Sequence, residues 1–582
     1  MLLIECGLVL IAVIVAFTFP EAGSHWFRTL ERGFAKLARR RGLAVAVVGI
    51  AALALRAAVL PIEPIPQPAV HDDFSYLLMA DTFAHGRVTN PTHPMWVHFE
   101  SVTVIHKPTY CSVFYPAQGL FLALGQAIAG HPFWGVWLSA GLMCAAICWM
   151  LQGWLPSVWA LLGGLLAVIR LGVFSYWTNS YFGGAVAAAG GALVLGALPR
   201  IKRHQRVGDA LLMGLGLALL SNSRPFEGLF FSLPIGLALL IWMLRKNGQT
   251  LRQSLSRVML PLGLVLAVTA CCMLYYFWRT TGSPFRPPYF VNLETYFVDP
   301  GFPWLPVKPV PKYHHQVIQN LYLGWSLSQY QFARLHPIFA AVIKVDMLWF
   351  FFFGPLLTLP FLILSLVLPY GMSYKDLRPK TRFLLLVCCV SLLGLLLPAY
   401  ANAHYAAPLT AAMYALIMIA LQRIRHWRWH RKPTGLAIVR AVPLIAVALL
   451  LLRVALPIFH LEILNGSIPE TWCSPWNQLV ERARIAAQLE GYPGQHLALV
   501  HYSPQHDPKE GWVNNSADID DSKVIWAHDM GQAENDELIR YFKKRQVWLV
   551  EPDEFPARVS PYPLNPPSPP TAGENTASPG GH

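Results

Sequence analysis

The chain has 582 residues, of which 55% are hydrophobic and only 13% charged, whereas a soluble domain carries roughly a quarter charged residues. That deficit excludes a single soluble globule. The formal net charge of +14 would suggest a nucleic-acid partner in a soluble protein, but here the basic residues cluster between apolar runs and report membrane topology instead.

Apolar segments recur near 1–19, 43–60, 133–151, 157–171, 183–199, 209–221, 228–244, 258–277, 345–369, 383–399, 409–422 and 435–458. Each run approaches the ~20 residues that a helix needs to cross a bilayer core, so the predicted class is a polytopic α-helical membrane protein with about twelve transmembrane helices. The first segment lacks a basic leader and is followed by Arg28, Arg32, Lys36 and Arg39 to Arg41, which predicts a retained helix rather than a cleaved signal peptide. The later basic connectors are Arg200 to Arg206, Arg245 to Arg252, Lys375 to Arg382 and Arg423 to Lys432. Positive-inside logic places all five clusters in the cytoplasm. The long segments 61–132, 278–344 and 459–582, and the short ones around Asn179, Arg224 and His404, then share the outer face. No fixed repeat and no inverted two-half symmetry is visible.

Beyond the last apolar segment the composition becomes soluble. The stretches HLALVHYS, KVIWAHD and QVWLVEPDE read as strands, and AENDELIRYFKKR reads as an amphipathic helix. The predicted organisation is a transmembrane unit over 1–458 that includes the outer loop 61–132, an extracytoplasmic α/β domain over 459–554, and a disordered Pro-rich tail over 555–582. The nine cysteines fit no metal or disulfide framework, and only Cys111 and Cys473 fall in outer segments.

The densest polar stretch is the first outer loop, which opens with HDDFSYLLMADTFAHGR. Its apolar Phe74, Leu77, Leu78 and Phe83 predict a helix lying on the membrane surface, with Asp72 and Asp73 in its first turn. Acidic residues are favourable there for the helix alone, so a hydrated helix start is the plain alternative. Adjacent helical positions point about 100° apart, so the two carboxylates cannot address one substrate atom. One suffices where a hydroxyl attacks a sugar whose leaving group is a phosphate, because a phosphate needs cations rather than a general acid. Arg87, Lys107, Arg224 and His404 supply cations on the outer face. Arg56, Arg170 and Arg453 lie inside apolar helices toward their outer ends, where they either snorkel or serve the site. Arg56 stands out because it precedes the aspartates, and either tunes Asp72 or contacts phosphate. Trp177, Tyr181, Trp278 and Trp304 read as interfacial belt residues. Asp518, Asp520 and Asp521 lack the spacing of a calcium loop and read as a turn at a strand edge.

The stretch HDDFSYLLMADTFAHGR after the second helix, followed by HKP and YPAQGLFLALGQAIAG, resembles the first outer loop of membrane glycosyltransferases with the GT-C fold. These include the protein O-mannosyltransferases and the lipid A aminoarabinose transferases. RPFEG at 224–228 and AHYAAPLTAAMYAL extend the similarity loosely over 43–422. The resemblance implies an inverting transferase that takes a sugar from a polyprenyl-phosphate donor to an envelope glycan, lipid or protein acceptor. It places the enzyme in the bacterial inner membrane, working at the periplasmic face. It gives Asp72 the role of general base and Asp73 that of a supporting or metal-orienting group beside Tyr76, with Lys107, Arg224, His404 and Arg56 for the donor phosphate. It also implies a divalent metal ion on Glu100, His106 and His404. Where bacterial relatives often carry Glu-Lys-Pro-Pro, this chain has FES at 99–101 and HKP at 106–108, which leaves Glu100 and His106 as alternatives for one metal position. Two other classes remain in view: a lipid or polysaccharide transporter, which calls for charges near mid-helix, and a non-catalytic envelope assembly protein that binds through the C-terminal domain.

Overall fold

The structure is a computed structural model that describes residues 1–367, 377–460, 471–474 and 478–563. The chain opens with α1 (Leu2–Thr18) and the amphipathic α2 (Ser24–Arg39), followed by α3 (Arg41–Ala58), α4 (His71–Ala84) and α5 (Pro116–Ala129). Next come α6 (Phe133–Trp154), α7 (Ser157–Leu171), α8 (Ala185–His204), α9 (Val207–Ser221) and α10 (Pro225–Leu244). Later apolar spans are Gly248–Thr281, Pro337–Leu366, Pro379–Leu396, Ala403–Ile424 and Thr434–Ile458. Among the described residues, nine helices are long and apolar enough to cross a membrane, and α1, α7 and α9 are shorter apolar helices. Each predicted apolar segment thus corresponds to a helix, and the chain is a polytopic integral membrane protein.

Lipid offers little hydrophobic drive for one helix to join another, so close packing and buried polar contacts hold such a bundle together. A Cβ on Gly191 in α8 would meet the Pro408 carbonyl oxygen at 2.1 Å. The missing side chain is what seats the 403–409 turn against α8. Several buried charges are paired or hydrogen-bonded to the main chain. Arg170 in α7 donates to Glu5 of α1 at 3.1 Å, and Glu5 also accepts from the Leu356 amide at 3.0 Å. Arg453 donates to Glu63 at 2.8 Å. Arg56 donates to the carbonyl oxygens of Glu63 and Pro64 at 2.9 and 3.3 Å. These contacts fix the crossing that leads into α4.

Strands β1 (Val104–Ile105) and β2 (Cys111–Ser112) form a short antiparallel ribbon, and the C-terminal sheet has the order β4-β3-β5-β6, with β3 (His496–Val500), β4 (Val524–His528) and β5 (Gln546–Glu551) parallel and β6 (Arg558–Pro561) antiparallel to β5. All five β3 residues are buried, as expected of a central parallel strand covered on both faces. Helices Val480–Gly491 and Gln532–Tyr541 accompany the sheet.

This domain docks on the first outer loop. Arg87 makes a two-pronged pair with Asp518 at 2.7 and 2.6 Å, and His93 meets Asp520 at 2.8 Å. The Ala517 amide donates to Asp81 at 2.8 Å, and the His71 ring reaches the Pro508 carbonyl at 2.9 Å. Arg482 lies 4.5 Å from the ring centroids of both Phe74 and Trp526.

Several expectations are corrected. The helix expected along the membrane surface is α4, and it is not a surface helix: Phe74, Tyr76, Leu78 and Met79 are buried because α5 and the C-terminal domain cover it. Trp177 and Tyr181 are buried rather than interfacial, whereas Trp278 and Trp304 are exposed. The tail expected to be disordered from 555 instead contributes β6, whose backbone pairs with β5; residues 564–582 and Lys375 lie outside the described residues. Cys111 and Cys473 are both free and buried.

Candidate active site

The first turn of α4 separates its two aspartates as helical geometry requires. Asp73 turns inward, 1% exposed. One of its oxygens accepts from the Ala69 amide at 3.2 Å and the other from the Tyr181 amide at 2.8 Å. The Tyr181 hydroxyl donates to the Pro66 carbonyl at 2.8 Å. Asp73 therefore stitches the start of α4 to the turn between α7 and α8, and its carboxylate is occupied. Asp72 is half-buried and lies within electrostatic reach of Arg224. Burial raises its carboxyl from the usual carboxylate range to about 7, with the Asp73 charge adding to the rise and the Arg224 charge opposing it. No salt bridge closes Asp72 onto Arg224.

Arg224 is the residue at which α10 begins, followed by Pro225 and Glu227 in the first turn. Proline suits that position because its missing N–H would have no helical partner. The guanidinium lies 4.4 Å from the Tyr405 ring centroid, a cation–π contact that orients it while leaving charge for an incoming anion. The ionisable groups around it are Tyr405, Tyr76, Glu227 and Asp72. Tyr76 stands one helical turn after Asp72 on the same face of α4, and its ring stacks on Phe114 at 4.4 Å. Tyr289 and Tyr322 also lie within electrostatic reach of this group. Four distant stretches thus meet at one end of the bundle: α4, the start of α10, the 403–409 turn and the 289–322 segment. They assemble a carboxyl that titrates near neutrality, a guanidinium and several phenols.

The other predicted residues distribute differently. His404 is beside this group, close enough to feel the Arg224 charge, but its Nδ1 is hydrogen-bonded to the Tyr176 hydroxyl at 2.9 Å and its ring packs against Phe182. Lys107 is exposed, with its ammonium 4.5 Å from the Trp96 ring centroid, and is not among the charges that bear on Arg224. Arg56 is fully buried and donates its terminal N–H groups to main-chain carbonyls, so it anchors the crossing before α4.

Glu100, His106 and His404 do not converge. Glu100 is buried, accepts from the Tyr296 hydroxyl at 2.5 Å and contacts His314 Nδ1 at 2.9 Å. His106 is buried against Tyr110, and burial, with His315 and His93 adding, pushes its imidazole down to about 3. Among the described residues no group of three or more His, Cys, Asp or Glu side chains forms a metal-binding set. The donor set expected for a divalent ion does not fit one.

Sequence reasoning missed Tyr405 and Glu227 as members of this group. The signal for Glu227 was its position three residues after Arg224, on the same helical face. Tyr405 adjoins His404, and the two neighbours diverge: the tyrosine faces Arg224 and the histidine faces Tyr176.

No protein-family description and no curated protein matches the chain. Solved structures resemble it over most of its length at low identity. The Archaeoglobus fulgidus oligosaccharyltransferase tethered with an acceptor peptide has a TM-score of 0.48 at 11% identity, covering 88% of this chain and 68% of that one. The same organism's enzyme with an inhibitory peptide and a dolichol-phosphate has a TM-score of 0.39 at 11% identity, covering 88% and 69%. ArnT from Cupriavidus metallidurans bound to undecaprenyl phosphate has a TM-score of 0.47 at 14% identity, covering 88% and 92%.

Proposed function

We propose that this chain is an inverting membrane glycosyltransferase of the GT-C kind, working on a polyprenyl-phosphate-linked sugar at the extracytoplasmic face of a bacterial inner membrane. The observation that carries the reading is that Asp72, whose carboxyl is pushed up to about 7, lies within electrostatic reach of Arg224 without forming a salt bridge to it. A base is most effective when its pKa lies near the working pH. A guanidinium held at a helix start and backed by an aromatic ring suits a phosphate by charge and by its planar fork of donors.

Asp72 takes the proton from the acceptor hydroxyl as that oxygen bonds the anomeric carbon. The bond between the anomeric carbon and the donor phosphate oxygen breaks, and the negative charge gathering on the phosphate is met by Arg224. The guanidinium is fixed before the reaction starts, so it stabilises the growing charge more than it stabilises the bound donor. Displacement from the opposite face inverts the anomeric centre. Asp73 holds α4 in place and takes no proton. The metal implied by the resemblance is assigned no residues and no step.

The orientation is supported by the basic connectors, which lie at the bundle end away from Asp72. The domain after 459 belongs to the same side as the site, since it contacts α4 directly. Its charge pairs with the outer loop hold it against α4, the helix that carries Asp72.

The test is a transfer assay with purified full-length protein and a panel of polyprenyl-phosphate sugars, reading released polyprenyl phosphate by mass spectrometry. Turnover in the wild type and its loss in Asp72→Asn at normal yield is the expected result. Full turnover by Asp72→Asn would end the proposal.

A further inference from the structure

At the opposite end of the bundle from Asp72 lies a cleft that the transfer reaction does not use. It has a volume of about 360 Å³ and is lined by Arg41, Gly42, Val45, Trp149, Gln152 and Arg200. The α3 helix of 18 residues begins here and carries Asp72 beyond its far end, so the cleft stands about 26 Å from the outer boundary at 1.5 Å of rise per residue.

Three features converge on it. First, the cations are under-compensated. The charges of Arg41 and Arg203 bear on Arg200 together with a single carboxylate, Asp209. Arg200 is pinned in place: it donates to the carbonyl oxygens of Gly196 and Trp149 at 2.7 Å each and lies 3.9 Å from the Trp149 ring centroid. Arg41 is exposed and free to close over an occupant. Second, α3 starts without a side-chain cap, and the lining Gly42 meets nothing within 4 Å where a Cβ would stand. The first-turn amides on that side are therefore accessible to an anion. Gln152 reinforces the turn by donating to the Arg41 carbonyl at 2.9 Å. Third, the walls are half apolar. Val45 and the Trp149 ring line the cleft, and Leu43 beside it is 46% exposed.

We infer that this cleft binds the phosphate headgroup of an anionic membrane lipid in the leaflet remote from the active site. The cations and amides take the phosphate, while Val45, Trp149 and the exposed α3 face take the first part of the acyl chains. The apolar wall and the position at a helix end distinguish a lipid from a free phosphate, because inorganic phosphate gains nothing from Val45 or Leu43. Plain positive-inside topology requires only net charge near the interface. It does not require a cleft, a pinned guanidinium or an uncapped helix start.

Delipidated full-length protein is titrated with phosphatidylglycerol, with phosphatidylcholine of the same chains, and with sodium phosphate, reading bound lipid by native mass spectrometry and the melting temperature. The expected result is saturable phosphatidylglycerol binding with a rise in melting temperature and no matching effect of phosphatidylcholine or phosphate. Arg41→Gln should weaken the phosphatidylglycerol response about tenfold, the scale of one charge-assisted hydrogen bond. Arg252→Gln, a basic residue outside the cleft, should leave it unchanged. Among the described residues the Arg41 side chain forms no hydrogen bond or ion pair, and its contact with Gln152 is through the main chain, so the substitution leaves that contact in place. Equal binding of both lipids, an unchanged Arg41→Gln response, an equal loss in Arg252→Gln, or saturation by inorganic phosphate alone would overturn the inference.

Discussion

The ionisation of Asp72 gives the proposed mechanism its sharpest quantitative consequence. With its carboxyl at about 7, the basic form is about 9% of the enzyme at pH 6 and about 91% at pH 8, so kcat/KM should rise about tenfold over that interval. The Arg224 charge opposes the upward shift. Removing it in Arg224→Gln makes the carboxylate harder to form, and the limb should move to higher pH while the maximum falls. Asp72→Asn should lower kcat/KM by about 10²-fold or more and abolish the limb, since a positioned base contributes on that order. Stability supplies an independent sign. A carboxyl raised in the folded state favours folding when protonated, and that contribution is lost as pH rises from the unfolded value of 3.8 through about 7. Asp72→Asn is uncharged at every pH, so its melting temperature relative to wild type should be higher at pH 8 than at pH 5. The assay is initial-rate transfer from a polyprenyl-phosphate sugar in detergent across pH 5.5 to 8.5, roughly spanning the predicted limb, with thermal melts in the same buffers. An unchanged limb in Asp72→Asn, or a limb moved to lower pH in Arg224→Gln, would refute the reasoning.

Asp73→Asn should behave oppositely to Asp72→Asn: loss of a carboxylate that accepts from two main-chain amides costs about 2–4 kcal/mol, visible as reduced yield and melting temperature with near-normal turnover per folded molecule. Arg224→Lys should recover only part of the activity lost in Arg224→Ala, because an ammonium keeps the charge and loses the planar fork; complete recovery at restored yield would mark Arg224 as a simple membrane anchor. Glu5→Ala leaves the buried Arg170 unpaired and should cost about 3–5 kcal/mol, measured as loss of folded protein in size-exclusion chromatography. The seam between the outer loop and the C-terminal domain should loosen in acid. Burial holds the imidazoles of His71 and His315 down at about 4, so the folded state prefers them neutral and stability is lost as pH falls from about 6.5 toward 4, which hydrogen exchange at residues 507–518 would report.

The lengths and positions of the apolar runs were readable from the chain because a bilayer imposes a length and a polarity on each spanning helix, whatever its neighbours are. The same holds for the strands HLALV and VIWAH, whose continuous apolar character reflects burial on both faces. The positions of Asp72 and Asp73 in a helical first turn, and their divergence, also followed from local geometry alone.

What the chain could not reveal was which of several polar residues meet. Arg56, Lys107, Arg224 and His404 carry similar chemistry in similar settings. Arg224 joins Asp72, while Arg56 spends its donors on Glu63 and Pro64 and Lys107 settles over Trp96. His404 and Tyr405 are adjacent in sequence, yet the 403–409 turn, seated against α8 through Gly191, sends only the tyrosine to Arg224. The burial of α4 likewise depended on the docking of a domain some 430 residues away in sequence through Arg87, Asp81 and Arg482. Hydropathy and helical periodicity are sums over neighbouring residues, and so the spans could be read before any tertiary contact was known. The placement of Asp72 near Arg224, and the rise of the Asp72 carboxyl toward neutrality, depend on desolvation and on charges from distant segments, which become neighbours only when the chain packs.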